Sequence, residues 1–312
     1  MLPLWLATKR GEAMPERRRP DATARSGVRA LPGTCPDFPP GLRDLADPPS
    51  EIFVRGGDLP AVGQAVAIVG SRAASPYGMD QARRLAGDLA RIGVVIVSGL
   101  ARGIDAAAHR GALEAGGRTV AVIPSGLDAI TPRHHFELAD AIAERGALVS
   151  EWAAGPPRGL GVFVQRNRLI AALAAATVVV EAAARSGALS TAAHAMRLGR
   201  PVLAVPGDVD RETTRGCHAL LRRGARVCEQ AADVLSAIDQ ARARGLATGT
   251  SDAAVTPESR ILLALDEVPR TVDALAAASG LGVPEVLSAL LTLQWAGAAN
   301  PRPGQRWARG AD

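Results

Sequence analysis

Val66-Ala-Ile-Val-Gly-Ser-Arg-Ala-Ala-Ser-Pro-Tyr-Gly-Met-Asp-Gln81 is the stretch that decides the fold. Four apolar residues, Val66–Val69, predict a buried strand, and Gly70 lets the backbone turn sharply. Ser75-Pro76 then supplies an N-cap and a first-turn proline for a helix. A strand that feeds a helix through a Gly-Ser-Arg loop aims backbone N–H groups and the helix dipole at one point, and an anion is the natural guest. Arg72 adds a fixed charge with a fork of donors suited to phosphate. An isolated loop arginine is ordinarily just solvated; its place between Gly70 and a capped helix makes anion binding the expectation.

The same alternation continues outward. Short apolar runs at Val66–Val69, Val94–Val97, Thr119–Ile123, Ala147–Ser150, Thr177–Val180, Val202–Val205 and Ala225–Cys228 are separated by helical stretches. Continuous apolar strands alternating with helices predict an α/β fold, a doubly wound, Rossmann-like parallel sheet covered on both faces. Ligands of such sheets sit beyond the carboxyl ends of the strands, so the loops after the strands are expected to carry function. Ahead of the sheet, Glu51-Ile-Phe-Val-Arg55 is expected to form a short edge strand.

Residues 1–36 hold Arg17-Arg-Arg-Pro20 and no helical or strand period, and are read as a flexible arm for which Met14 offers an alternative start. Residues 37–240 form the Rossmann-like unit and 241–256, which lose the apolar period, a linker. From 257 to 312, helix-like stretches at Ser259–Leu265, Thr271–Ala278 and Pro284–Trp295 precede a hairpin over Asn300–Trp307. Three helices and a hairpin predict a small winged-helix domain.

Composition narrows the function. Of the 36 basic residues in a 312-residue chain of net charge +5, Lys9 is the single lysine. No Gly-Lys pair exists, so this is not a Walker-type ATPase. No Gly-x-Gly-x-x-Gly follows any strand, which leaves a dinucleotide site without its main signature. The three cysteines, Cys35, Cys217 and Cys228, lack metal-ligand spacing and do not suggest a disulfide framework, and a reducing cytoplasm is expected. The apolar start Leu2–Ala7 is too short to span a membrane. His134 and His135 are adjacent rather than one helical turn apart, so zinc is not expected, nor any cofactor.

Arg72, Arg102, Arg133, Arg166, Arg168 and Arg185 all fall in predicted sheet-top loops and together describe a basic rim that would track a polyanion. The backbone of Gly70-Ser71 and Ser98-Gly99 is expected to donate to phosphate oxygens, with Gly103, Asn167 and Ser186-Gly187 along the same groove. Asp105 is read as a helix cap, His109 as a packing or capping group, and Glu181 as a general base or ribose contact. At 3% aromatic content, stacking is sparse and binding should be weakly sequence-dependent. The third helix of the tail has no Lys or Arg, and residues 257–312 carry five Arg against six acidic residues, so major-groove reading by this helix is not expected.

Taken in order, Ala67-Ile-Val-Gly-Ser-Arg72, Tyr77-Gly78, Ser98-Gly-Leu-Ala-Arg-Gly-Ile-Asp105, Ala108-His109, Gly126-Leu-Asp128, Ser150-Glu151, Arg166-Asn-Arg168, Glu181, Ser186-Gly187 and Val205-Pro-Gly207 resemble the DprA/Smf DNA-processing proteins. The tail, with Leu290-Leu-Thr-Leu293, Gly297, Gly304 and Arg309, is similar to the small winged-helix domain of many members. The resemblance implies a cytoplasmic, homodimeric, non-catalytic protein that binds single-stranded DNA, protects it during natural transformation and loads a RecA-type recombinase. It also implies DNA contacts at Gly70, Ser71 and Arg72, continued by Ser98-Gly99, Gly126, Arg166-Asn-Arg168 and Ser186-Gly187. The chain departs from the family pattern at Pro124, which removes one backbone donor, at Thr131, at Val164 and at His135 and His218. The alternative from another class is a nucleotide-processing phosphoribohydrolase of the lysine-decarboxylase-like type, with Glu181 or Asp105 as acid or base; its Pro-Gly-Gly-x-Gly-Thr-x-x-Glu run is missing here.

Overall fold

In the computed structural model, which describes residues 27–159, 161–248, 257–265, 269–295, 298–304 and 306–309, the chain divides into two compact units, Met1–Ala241 and Arg242–Asp312. The first unit opens with β1 (Val28–Pro32), α1 (Pro40–Arg43) and β2 (Glu51–Gly56). The alternation then runs β3 (Ala65–Val69), α2 (Pro76–Arg91), β4 (Val95–Ser98), α3 (Ile104–Glu114) and β5 (Thr119–Val122). It continues through α4 (Phe136–Arg145), β6 (Ala147–Ser150), α5 (Gly161–Ala172), β7 (Ala176–Val179), α6 (Ala188–Arg197) and β8 (Val202–Ala204). It closes with α7 (Arg215–Arg222), β9 (Arg226–Val227) and α8 (Ala231–Thr248).

The nine strands form one sheet in the order β1-β2-β6-β5-β4-β3-β7-β8-β9, parallel from β6 to β9. Successive residues of β3 serve opposite faces: Ala65, Ala67 and Val69 pack with α5 and α6 residues such as Leu169 and Ala192, while Val66 and Ile68 pack with Leu85 and Leu89 of α2. Both faces are therefore buried, as the unbroken apolar strands predict. Because the chain leaves β3 toward β4 but leaves β7 toward β8, the strand order reverses between β3 and β7. A crevice opens beyond their carboxyl ends.

Two elements differ from expectation. β2 is not the edge strand, because β1 pairs antiparallel outside it with Val28 opposite Arg55 and Pro32 opposite Glu51. Only Leu31 of β1 is buried, and Pro32 and the exposed Arg29 are residues an edge tolerates. That short exposed strand has no period to reveal it within the stretch read as an arm; residues 1–26 of the arm lie outside the described residues. α8 continues to Thr248, so half of the stretch read as linker is helical. Its Ala, Arg and Leu are strong helix formers that outweigh the cost of Gly245. Residues 249–256 lie outside the described residues.

The second unit holds α9 (Pro257–Ala264), β10 (Arg270–Thr271), α10 (Val272–Ser279), α11 (Val283–Trp295), β11 (Ala299–Arg302) and β12 (Arg306–Arg309). Thr271 caps α10 by accepting from the Ala274 N–H at 3.3 Å, and Gly280 ends it at φ 68°. Ile261, Leu265, Leu275, Val286, Leu290 and Leu293 form its core, and the strands pair β10-β12-β11. This is a winged-helix fold, with a two-residue strand beyond the predicted hairpin. No single helix among the described residues is long and apolar enough to cross a membrane.

Candidate nucleic-acid interface

The loop after β3 is built by close approach. A Cβ on Gly70 would lie 2.6 Å from Ile104 Cγ1 and 2.7 Å from the Glu181 carbonyl, and one on Gly103, at φ 76°, would strike the Ser71 carbonyl. No side chain fits at either position. The Ser71 N–H donates to the Glu181 carbonyl at 2.7 Å, and the Ile104 N–H donates to the Ser71 carbonyl at 3.2 Å, so the loop is tied to the end of β7 and the start of α3. Ser75 caps α2 as expected, its hydroxyl accepting from the Gly78 N–H at 3.1 Å. With its flanks fixed, Arg72 projects to the surface, its guanidinium 5.1 Å from the centre of the Phe163 ring. It makes no hydrogen bond or ion pair with any described residue.

A cavity of about 670 Å³ occupies the crevice between the ends of β3 and β7. It gathers Gly70, Ser71, Arg72, Arg166, Asn167, Ser186 and Gly187 of the predicted residues, together with Arg185 and Phe163. Ser186-Gly187 opens α6, whose dipole and first N–H groups face the cavity. Asn167 holds that opening in place: its amide donates to the Gly187 carbonyl at 3.1 Å and to Ser190 Oγ at 2.8 Å. Arg72 and Arg185 are exposed cations on its wall, and Glu212 is the acidic residue that sequence reasoning missed there. Nothing in the local pattern after β8 signals that Glu212 turns back toward β3.

Several predicted residues, Arg166 of the cavity lining among them, turn their polar atoms inward. Arg166 is 5% exposed and donates to the carbonyls of Gly99, at 2.7 Å, and Val122. Burial lowers its pKa to about 10, against the opposing charge of Asp105. Asp105 does not cap α3, whose N-cap is Gly103; it accepts from the Ala101 N–H at 3.3 Å. Burial raises its pKa, while the Arg166 charge and the N–H groups of Ala101 and Gly99 oppose that rise. A Cβ on Gly99 would sit 2.6 Å from Arg166 Nη2 and 2.7 Å from Asp105 Oδ2. At Ser98-Gly99, where a phosphate contact is expected, an internal carboxylate lies against the loop, and the buried Ser98 hydroxyl donates to the Ile68 carbonyl at 2.6 Å.

The Gly126 N–H donates to the Gly155 carbonyl at 2.8 Å, and a Cβ at this position would meet Ala154. Arg168 is buried against Glu151 and lies outside the cavity, which makes it an internal tie rather than part of a surface track. Arg102 and Arg133 are exposed but do not line the cavity. Glu181 is buried, and its two carboxylate oxygens accept from the Ser75 N–H at 2.8 Å and hydroxyl at 2.6 Å. His109 packs as expected, its Nδ1 2.7 Å from Thr119 Oγ1. His135 donates to the Leu100 carbonyl at 2.8 Å and His218 to the Gly207 carbonyl at 3.0 Å, so both hold sheet-top loops.

Residues 31–239 match the family model of DNA recombination-mediator protein A, and residues 247–305 that of the DprA winged helix domain. The putative DNA processing protein DprA of Mycobacterium tuberculosis (strain ATCC 25618 / H37Rv) is 43% identical over 253 residues, covering 78% of this chain and 64% of its own length. The chain thus spans just under two thirds of that relative. Protein Smf of Escherichia coli (strain K12) is 37% identical over 283 residues, covering 88% of this chain and 75% of its own. The X-ray structure of DprA from Streptococcus pneumoniae superposes with a TM-score of 0.64 at 36% identity, over 69% of this chain and 76% of that one. A structure of DNA processing protein A from Helicobacter pylori, described for its single-stranded DNA binding mode, gives 0.59 at 30% identity, over 70% of this chain and 96% of that one. With both units matched and the sheet-top motifs in place, the chain belongs to the DNA recombination-mediator protein A family, the DprA/Smf proteins.

Proposed function

We propose that this protein binds single-stranded DNA by its backbone, shields it during transformation and hands it to a RecA-type recombinase, acting as a cytoplasmic, non-catalytic homodimer. The observation that carries the DNA reading is the pair of exposed guanidinium groups, Arg72 and Arg185, beside the opening turn of α6 in one cavity. Two fixed cations and a helix N-terminus make a seat for a phosphate, and Phe163 beneath Arg72 holds that charge toward the opening. Its recombinase role and dimeric state rest on family membership. The phosphoribohydrolase alternative gains no such support: Glu181 is engaged by Ser75, and Asp105 faces Arg166 and the loop N–H groups.

The test is anisotropy of a labelled single-stranded oligonucleotide across a salt series, with duplex competitor. Arg72→Ala should weaken binding to all sequences alike and reduce the slope of log K against log salt by about 0.7, one phosphate on a single strand. Unchanged affinity removes Arg72 from the site. Accelerated recombinase filament formation on the protein-bound strand is the corresponding expectation for loading.

A further inference from the structure

A second cavity, of about 340 Å³, lies on the other side of the loop that follows β8 and is lined by Tyr77, Glu181, Gly207, Asp208, Arg211 and Thr214. Its walls are held. Thr214 is buried, and its hydroxyl bridges the carbonyls of Asp208, at 2.5 Å, and Arg211, at 2.9 Å, while His218 fixes Gly207. Tyr77 stands in the first turn of α2 with its hydroxyl leaning toward the Pro206 carbonyl at 3.4 Å, and the residue is 48% exposed. The charges do not suit phosphate: Arg211 is paired with Asp208 at 2.7 Å, which leaves the Glu181 carboxylate uncompensated by a second cation of the lining. A flat, neutral guest that stacks on a ring does suit them.

The two cavities share a wall. Glu212 lines the first and Arg211 and Thr214 the second, so both border the turn Glu212–Thr214. A strand seated by a phosphate in the first cavity therefore has the second within the same short stretch of surface. We propose that the Tyr77 cavity takes one nucleobase of the strand whose phosphate sits between Arg72 and Arg185, stacked on the Tyr77 ring without sequence selection. This rests on the single-strand reading above.

The full chain is titrated with oligothymidylate and with an equally long oligomer whose sugars are all abasic. Tyr77→Ala should weaken oligothymidylate binding about 5- to 150-fold, the range of one lost stack, with the salt slope unchanged. Tyr77→Phe should bind as the parent does, and the abasic oligomer should not distinguish the three proteins. Tyr77 is the one tyrosine of the chain, so 3-fluorotyrosine labelling gives a single ¹⁹F resonance, expected to shift with oligothymidylate and not with the abasic oligomer. Parent-like binding by Tyr77→Ala, an equal loss on the abasic oligomer, or an unmoved resonance overturns the base site. If Arg72→Ala still loses affinity in that event, the phosphate site stands alone. No binding of either oligomer by the parent removes both.

Discussion

Two arginines that look alike in the chain do opposite work. Arg72 keeps its donors for solvent, while Arg166 gives its own to the Gly99 and Val122 carbonyls and faces the buried Asp105. Near them, His109 is buried and neutral: desolvation first, then the charges of His135, Arg166 and Arg110, lower its pKa from 6.5 to about 3. A group that protonates more readily unfolded than folded stabilises the fold fully above pH 6.5, and that stability is lost as pH falls toward 3. The whole gap corresponds to roughly 5 kcal/mol, of which roughly 3 is lost by about pH 4.5. Asp105, with its pKa raised, acts in the other direction, stability falling as pH climbs from 3.8 through its shifted value. Urea unfolding of the parent and His109→Asn at pH 7 and 4.5 cancels that opposing part, and the variant is expected to lose less stability on acidification. Equal losses would remove His109 from the acid response.

The functional loop depends on how elements meet at their ends. β3, α3 and β7 converge on Ser71, and the convergence requires glycine at 70 and 103 because backbone or buried side-chain atoms fill the space a Cβ would need. Gly103→Ala combines a collision with the Ser71 carbonyl and a backbone conformation an L-residue resists. It should cost about 2–4 kcal/mol and, by moving Ser71-Arg72, weaken DNA binding at least as much as Arg72→Ala. Gly187→Ala is the control: no atom lies within 4 Å of its Cβ, and stability should change by less than about 1 kcal/mol. Denaturation midpoints with paired anisotropy titrations check both, and a Gly103→Ala protein of parental stability would contradict the packing account.

Charge divides between the units. The chain carries +5, yet residues 257–312 carry five Arg against six acidic residues. α11, in the position of a winged-helix recognition helix, exposes Val283, Leu287 and Leu291 at four-residue spacing and contains no Lys or Arg. Such a face cannot track phosphates, so nucleic acid should be met by the sheet-bearing unit. The double variant Leu287→Ser, Leu291→Ser is expected to keep single-strand affinity within about twofold and stability within about 0.5 kcal/mol per exposed site. A large loss in the same anisotropy series would place α11 in the DNA path.

The strand and helix order, the capped Gly-Ser-Arg loop and the winged-helix tail were legible in the chain because each rests on neighbours within one turn or one strand. Apolar period, an N-cap three residues from its N–H partner, and glycine at a turn are local physics. The direction of each side chain was not legible. Arg166 meets Gly99 across 67 residues, and Ser75 meets Glu181 across 106. Residue type alone therefore grouped Arg166 and Arg168 with Arg72, and read Ser98-Gly99 as free donors when Asp105 already lay behind them. Packing separated them: once the sheet closes, a buried donor or charge must find its partner inside, and only groups left unpaired at the strand ends remain for a ligand.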